Sequence, residues 1–226
     1  HNGSRGLGDV YKRQVMLAAG VKSILLTSPL ATVQKAQGLN ALLQQHPDHK
    51  LHLVVDSKEG MEVLRQSIDA DQQLGLLVDI DLSMGRTGTR DVETMLWLID
   101  AMARDQRFNF AGIQHYAGHL MHIPDYAKRK DKSLASWSRL DDFFSALEAR
   151  GIYCDIVTGG GTGTYDVDVA VDRITDLQVG SYIFMDEEYR VLASAGDDRF
   201  EDFALALTVA CSTCLLYTSP SPRDPL

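Results

Sequence analysis

The sequence predicts an α/β protein built as a (β/α)8 barrel, and three observations support this fold class. Apolar segments of strand length alternate with amphipathic helical segments along the chain. The strand segments are almost entirely apolar, which is typical of parallel strands buried on both faces. Polar residues follow nearly every strand, as expected where all strands end at one mouth. A doubly wound open sheet, the competing architecture, would concentrate such residues at one switch point.

The individual elements follow from periodicity and from capping and breaking residues. A helix end at 15–19 is closed by Gly20. Strands are predicted at 23–27, 51–55, 74–80, 110–116, 153–157 and 176–184. Helices are predicted at 31–45, from Asp56 or Ser57 to 68, at 91–102 and, as one long helix, at 133–150, while residues 203–210 are expected to begin a further element. Because a whole barrel has eight strands, we expect a barrel truncated at its N-terminus.

Both termini share a feature of their coding DNA. Residues 4–14 can be back-translated into DNA whose reverse complement, read one base out of phase, encodes residues 214–224. This inverted repeat is expected of a sequencing adapter translated at both ends, and such segments are excluded from fold reasoning. We therefore expect residues 1–14 and 214–226 to be adapter-derived and residues 15–213 to form a partial barrel domain. The C-x-x-C of Cys211 and Cys214 spans this junction and is not interpreted as a redox or metal site.

Composition excludes several classes of function. The net charge of −9 argues against nucleic acid as a partner. We recognise no signal peptide and no apolar run long enough to span a membrane, so we expect no membrane partner. The few cysteines are consistent with a reducing compartment, and we expect a cytoplasmic protein.

A glycine-rich loop follows the predicted strand at 153–157. It reads Thr-Gly-Gly-Gly-Thr-Gly-Thr over residues 158–164. The loop has no lysine, unlike a P-loop, and lacks the glycine spacing of a dinucleotide-binding loop. Glycines let backbone N–H groups approach a ligand closely, and threonine hydroxyls add donors. We therefore predict that this loop binds the phosphate of a small cofactor rather than forming a plain flexible turn.

Three further segments at strand ends carry candidate site residues. Arg86 lies between glycines in a turn after a buried strand and is expected to face a ligand. Gly180 and Ser181 are predicted to lie in a strand and to make a second phosphate contact, with a plain bulge as the alternative.

The densest of the three segments is residues 112–122. Gln114 and Tyr116 alternate with His115, so one set should face the barrel interior and the other the helices. His115, His119 and His122 invite a metal interpretation, but their spacing matches no zinc motif, and we assign no metal ligand. At least one of them is expected to be structural, and His122 can act as a general base if it lies in the mouth.

Four of these segments, 84–88, 112–122, 157–165 and 177–186, resemble the D-threonine aldolase family, and the resemblance covers residues 15–210. It implies an alanine-racemase-type barrel that binds pyridoxal 5'-phosphate and cleaves D-3-hydroxy amino acids to glycine and an aldehyde. By motif, the resemblance implies a catalytic His122 near the substrate hydroxyl and a catalytic Tyr116. The cofactor-binding residues that it implies are Arg86, Gln114, Tyr116, Thr158, Gly160, Gly161, Thr162, Gly180, Ser181 and Tyr182.

The sequence also departs from this family. The family's Schiff-base lysine and the C-terminal β domain that binds a divalent metal, manganese in our expectation, are not found, and Lys58 reads better as a first-turn helix residue. We therefore expect this fragment to be inactive and the full-length protein to be a homodimer acting on a small D-amino acid. A D-serine dehydratase, an amino-acid racemase, a non-catalytic pyridoxal-phosphate carrier and a metal-dependent barrel hydrolase are the alternatives.

Overall fold

The computed structural model describes residues 15–208 and residue 210. Six strands form one sheet in the order β1 to β6, and every neighbouring pair is parallel. The strands are β1 (Ser23–Leu26), β2 (Lys50–Val55), β3 (Leu74–Asp79), β4 (Phe108–His115), β5 (Ile156–Gly159) and β6 (Asp176–Leu177). The helices are α1 (Val33–Gln45), α2 (Lys58–Ser67), α3 (Val92–Ala103), α4 (Tyr126–Ser138), α5 (Asp141–Glu148), α6 (Tyr165–Asp168) and α7 (Glu187–Arg190).

Helices separate all consecutive strands, so the chain is a succession of parallel β/α units of the barrel type, which confirms the predicted fold class. Both faces of the central strands are apolar. The larger core lies between the sheet and the helices, whereas Val54, Leu77 and Ala111 form a smaller cluster on the other face. None of the helices in the described ranges is long and apolar enough to cross a bilayer.

Side-chain caps fix where the helices begin. Ser57, rather than Asp56, caps α2, and its hydroxyl accepts the N–H of Gly60 at 3.2 Å. Asp91 caps α3 in the same way through the N–H of Thr94 at 2.7 Å. Each cap satisfies a backbone donor that has no partner inside the helix. The loop that precedes Asp91 carries the predicted site residue Arg86.

The single helix predicted at 133–150 is wrong. The structure has two helices, α4 and α5, and the first begins well before residue 133, with Asp125 as its N-cap. The break lies at Arg139 and Leu140, where the N–H of Leu140 bonds to the carbonyl of Trp137 in a tighter turn. Leu140 stays buried, so the apolar periodicity runs on through the break and hides it.

The strand predicted at 176–184 is also wrong beyond Leu177. Its partner β5 passes into the glycine-rich loop after Gly159, and the last ladder bond runs from the N–H of Gln178 to the carbonyl of Gly159. Within residues 15–208 no neighbouring strand extends the ladder further, and Ser181–Ile183 form a 3₁₀ turn instead. Gly180 and Ser181 therefore lie in a loop.

Two further predictions differ from the structure. The strand predicted at 153–157 is displaced to Ile156–Gly159, and the side chain of Tyr153 is 83% exposed. Residues 203–208 form no helix or strand, although Phe203 packs against Tyr165 with ring centroids 5.3 Å apart.

Gly112 in β4 allows a close approach of two strands. Its φ is +148°, and a Cβ atom there would lie 1.8 Å from the carbonyl oxygen of Ile156 in β5. We expect Gly112→Ala to lower the free energy of unfolding by ~2–4 kcal/mol, because the backbone cannot move away without breaking the ladder. Denaturant unfolding measures the change.

Gly38 in α1 is the matched control. A Cβ atom at Gly38 would meet nothing within 4 Å. Gly38→Ala should raise the free energy of unfolding by ~0.5–1 kcal/mol, since alanine favours the helix. Equal effects of the two substitutions would contradict the assignment of the β4–β5 contact.

Candidate active site

A cavity of about 770 Å³ extends along the inner side of the sheet, from the first residues of β1 and β5, Ser23 and Ile156, to the loops that follow the strands. This volume lies within the roughly 300–1,000 Å³ of small-molecule sites. Seven of the predicted site residues line it, in or directly after four different β/α units: Arg86, Tyr116, Thr158, Gly161, Thr162, Gly180 and Ser181. The remaining four, Gln114, Gly160, Tyr182 and His122, are not among the lining residues.

The glycine-rich loop presents two different faces. Gly161 and Thr162 line the cavity, whereas Gly160, with φ +65°, packs on the far side against Asp168. In the part of the chain that the structure describes, no hydrogen bond uses the N–H of Gly161, Thr162 or Gly180 as donor. These N–H groups are therefore available to an anion, with the hydroxyls of Thr158 and Ser181 beside them.

A hydrogen bond joins the glycine-rich loop to the segment that carries Gly180 and Ser181. The Thr162 hydroxyl accepts the N–H of Tyr182 at 3.3 Å, which ties the glycine-rich loop to the 3₁₀ turn. Tyr182 thus contributes its backbone, while its ring packs on Phe203 at 5.6 Å between centroids. Both segments line the same cavity, and their binding of one ligand stays a prediction.

The loop that carries Arg86 is built around Asp81. The Asp81 carboxylate accepts the backbone N–H groups of Ser83, Met84 and Arg86 at 3.0, 2.7 and 2.6 Å. Burial opposes ionisation of Asp81, but these backbone donors outweigh it and lower the pKa of the carboxyl from its usual 3.8. The Arg86 guanidinium lies 5.3 Å from the centre of the Tyr116 ring, a cation–π distance.

A hydrogen-bonded chain of side chains crosses the strand ends inside the barrel. Gln114 donates through Nε2 to Asp79 at 2.9 Å and to the carbonyl of Thr27 at 3.2 Å, and its Oε1 accepts from Gln178 at 2.8 Å. Gln178 lines the cavity, so Gln114 reaches the site through it. Burial raises the pKa of Asp79 to about 6, although hydrogen bonds from Gln114 and Thr87 favour its ionised form.

The three histidines of segment 112–122 have three different environments. His115 is buried, and its ring nitrogens bond to the carbonyl of Ile80 at 2.9 Å and the hydroxyl of Ser136 at 2.8 Å. It faces the helices and is structural, while Gln114 points inward, as the alternation predicts. His119 is exposed. His122 is 50% exposed and lies at the rim, 5.3 Å from the ring of Tyr189, which lines the cavity.

No group of three or more His, Cys, Asp or Glu side chains within residues 15–208 is arranged to hold a metal ion. No lysine lines the cavity in the described ranges either. Lys58 is the first residue of α2, and its Nζ lies 5.1 Å from the centre of the Trp97 ring. The cavity thus offers N–H donors, hydroxyls, Arg86 and Tyr116, which suit the phosphate and the ring of a pyridoxal-type cofactor. Its described lining residues include no lysine amine.

The lining residues that sequence reasoning did not assign to the site include His52, Met121, Gln178 and Tyr189. His52 lies inside β2 between two buried leucines, and this alternation was a usable signal for an inward polar side chain. Gln178 directly follows a strand and fits the same rule as the other site residues. Met121 and Tyr189 carry no sequence signal for the site, because they reach it through the folding of loops.

His115 supports a pH prediction. Burial lowers the pKa of His115 below its usual 6.5, and the hydrogen bond to Ile80 opposes this only in part. Because the unfolded chain binds a proton near that usual value and the folded chain does not, we expect stability to fall as the pH drops below about 6.5.

Two measurements check this expectation. NMR titration should give His115 a pKa below 6.5, and a value at or above it would contradict the burial argument. His115→Gln, which cannot titrate, should lose less stability than the wild type between about pH 7.5 and 5.5.

Comparison with known proteins supports the fold. The chain is 30% identical over 214 residues to D-threonine aldolase of Arthrobacter sp., covering 93% of this chain and 55% of that protein. It is 29% identical to 3-hydroxy-D-aspartate aldolase of Paracoccus denitrificans strain Pd 1222, covering 85% of this chain and 49% of that protein. The solved D-threonine aldolase of Filomicrobium marinum has a TM-score of 0.80 and 28% identity, covering 90% of this chain and 55% of its own.

The chain thus spans about half the length of the curated relatives that it matches. Residues 18–188 match the family described as alanine racemase, N-terminal domain. Since this match covers most of the chain, and since the strand order and the cavity agree with it, the chain belongs to the alanine racemase N-terminal domain family.

Proposed function

We propose that the whole protein is a pyridoxal-phosphate-dependent lyase that cleaves D-3-hydroxy amino acids to glycine and an aldehyde. The observation that carries the proposal is the convergence of two phosphate-binding segments with Arg86 and Tyr116 on one cavity. The similarity to D-threonine aldolase and 3-hydroxy-D-aspartate aldolase supports this choice of reaction. Manganese dependence, a homodimer and a cytoplasmic location belong to the same proposal.

Different residues of the cavity bind different parts of the cofactor in this proposal. Thr158, Gly161, Thr162, Gly180 and Ser181 hold the cofactor phosphate through backbone N–H groups and hydroxyls. When bound, the cofactor supplies the electron sink for carbon–carbon cleavage.

Arg86 and Tyr116 lie beside the cofactor ring in this proposal. Arg86 keeps its charge at any working pH, and the Asp81 carboxylate that holds its loop keeps the guanidinium over Tyr116. Binding of the ring between fixed groups orients the bond that is to be broken.

His122 takes the proton from the substrate hydroxyl. Its position at the rim, against Tyr189, supports this role because a group there can meet a substrate that enters the cavity. Its Nδ1 lies 3.8 Å from the carboxylate of Glu188, which can stabilise the protonated ring after transfer.

The experiment that tests the proposal uses the purified full-length protein. We expect visible absorbance from bound cofactor that disappears on borohydride reduction, and release of aldehyde from D-threonine that increases with added manganese. Absorbance with pyruvate formation from D-serine would replace the aldolase by a dehydratase. If the protein shows no cofactor absorbance after incubation with pyridoxal 5'-phosphate, the proposal is rejected.

His122→Ala should lower kcat for D-threonine by ~10²-fold or more, because a general base contributes about that much. His119→Ala is the matched control. His119 lies three residues away and is exposed, so its removal should leave kcat within a factor of about two. Steady-state kinetics of both variants decide the matter, and equal kcat values for the two would exclude the role of His122.

A further inference from the structure

Asp168 lies directly behind the glycine-rich loop and is completely buried. Its carboxylate accepts three hydrogen bonds from side chains on two segments. Ser133 and Trp137 of α4 both donate to Oδ1, the latter at 3.1 Å, and the hydroxyl of Thr164 at the end of the loop donates to Oδ2. The carboxylate thus joins the loop to the outer helix.

Gly160 fits against the same carboxylate. A Cβ atom at Gly160 would lie 2.3 Å from Oδ2 of Asp168, and the φ of +65° already favours glycine there. The backbone of the loop therefore follows the surface of Asp168 on one side. On the other side, one and two residues later, Gly161 and Thr162 line the cavity.

The N–H groups of Gly161 and Thr162 have no protein acceptor among the described residues, so their direction follows from the backbone conformation of the loop. The N–H of Thr164 bonds to the carbonyl of Gly161 at 3.1 Å, and the two residues that flank this turn, Gly160 and Thr164, both contact Asp168. Asp168 is not among the residues that line the cavity and so acts through the loop alone.

We propose that Asp168 is a positioning residue that holds the glycine-rich loop in its phosphate-binding shape and thereby gives the cavity its preference for a phosphorylated ligand. This inference rests on the proposed function. It adds that the preference is set from the outer side of the loop, by a group that touches neither cofactor nor substrate.

The side-chain partners of the Asp168 carboxylate all act as donors in this structure. An amide in the same place would keep one acceptor oxygen and turn an NH₂ group towards Thr164 or towards Ser133 and Trp137, so at least one of the three bonds would have to reverse or break, and the negative charge would be lost. Burial raises the pKa of Asp168, and the three hydrogen bonds oppose that rise.

The test compares two ligands on the full-length protein. Dissociation constants for pyridoxal 5'-phosphate and for pyridoxal, which lacks the phosphate, are measured by absorbance titration. For Asp168→Asn we expect the dissociation constant for pyridoxal divided by that for pyridoxal 5'-phosphate to fall by ~10- to 100-fold, the usual range for losing hydrogen bonds to a charged group. Affinity for pyridoxal alone should change little.

Asp166→Asn is the matched control. Asp166 lies two residues away, and its carboxylate accepts from Tyr126 at 2.9 Å, away from the loop backbone. This variant should keep the wild-type ratio. A general loss of structure would weaken both ligands together, so the ratio separates positioning of the loop from stability.

The outcomes distinguish this inference from the proposed function. If the wild type binds neither ligand, the proposed function fails and this inference fails with it. If the wild type prefers the phosphorylated ligand and Asp168→Asn keeps that preference, the function stands and the positioning role is overturned. Should Asp168→Asn not fold, Ser133→Ala removes one donor and leaves the carboxylate, and an unchanged ratio in that variant overturns the role equally.

Discussion

Parallel pairing of strands in sequence order is the constraint on which the rest of this structure depends. Each strand must be entered from the same side, so the chain returns through a helix and every strand ends at one rim. That rim collects residues that are far apart in sequence, such as Arg86, Tyr116 and Gly180, around one cavity. The topology of the sheet, more than any single residue, thus determines which side chains meet at the site.

Buried carboxylates then give the rim its shape. Asp81 gathers the backbone of the loop that carries Arg86, and Asp168 holds the glycine-rich loop from behind. In both cases one acidic side chain satisfies donors that a loop cannot satisfy by itself. The loops can therefore be ordered without belonging to a helix or strand, which leaves their outward-facing N–H groups free for a ligand.

Most strands and helices and much of the rim could be predicted from the sequence, because burial on both faces and capping residues leave local patterns. The prediction failed where residues elsewhere in the fold decide the local structure. Leu140 continues the apolar period across a helix break, and the strand after Asp176 ends because its neighbour β5 has ended. Asp168 could not be found as a loop anchor, since its partners in α4 lie more than thirty residues away.

The hydrogen bonds of Gln114 and Gln178 fix the orientation of both side-chain amides. The carbonyl of Thr27 can only accept, so the NH₂ of Gln114 must face it, and the Gln114 oxygen must face Gln178. One N–H of Gln178 is donated to Gln114, which leaves the Gln178 oxygen and its second N–H for other partners. A main-chain carbonyl after β1 thus fixes the orientation of two amides, the second of which lines the cavity.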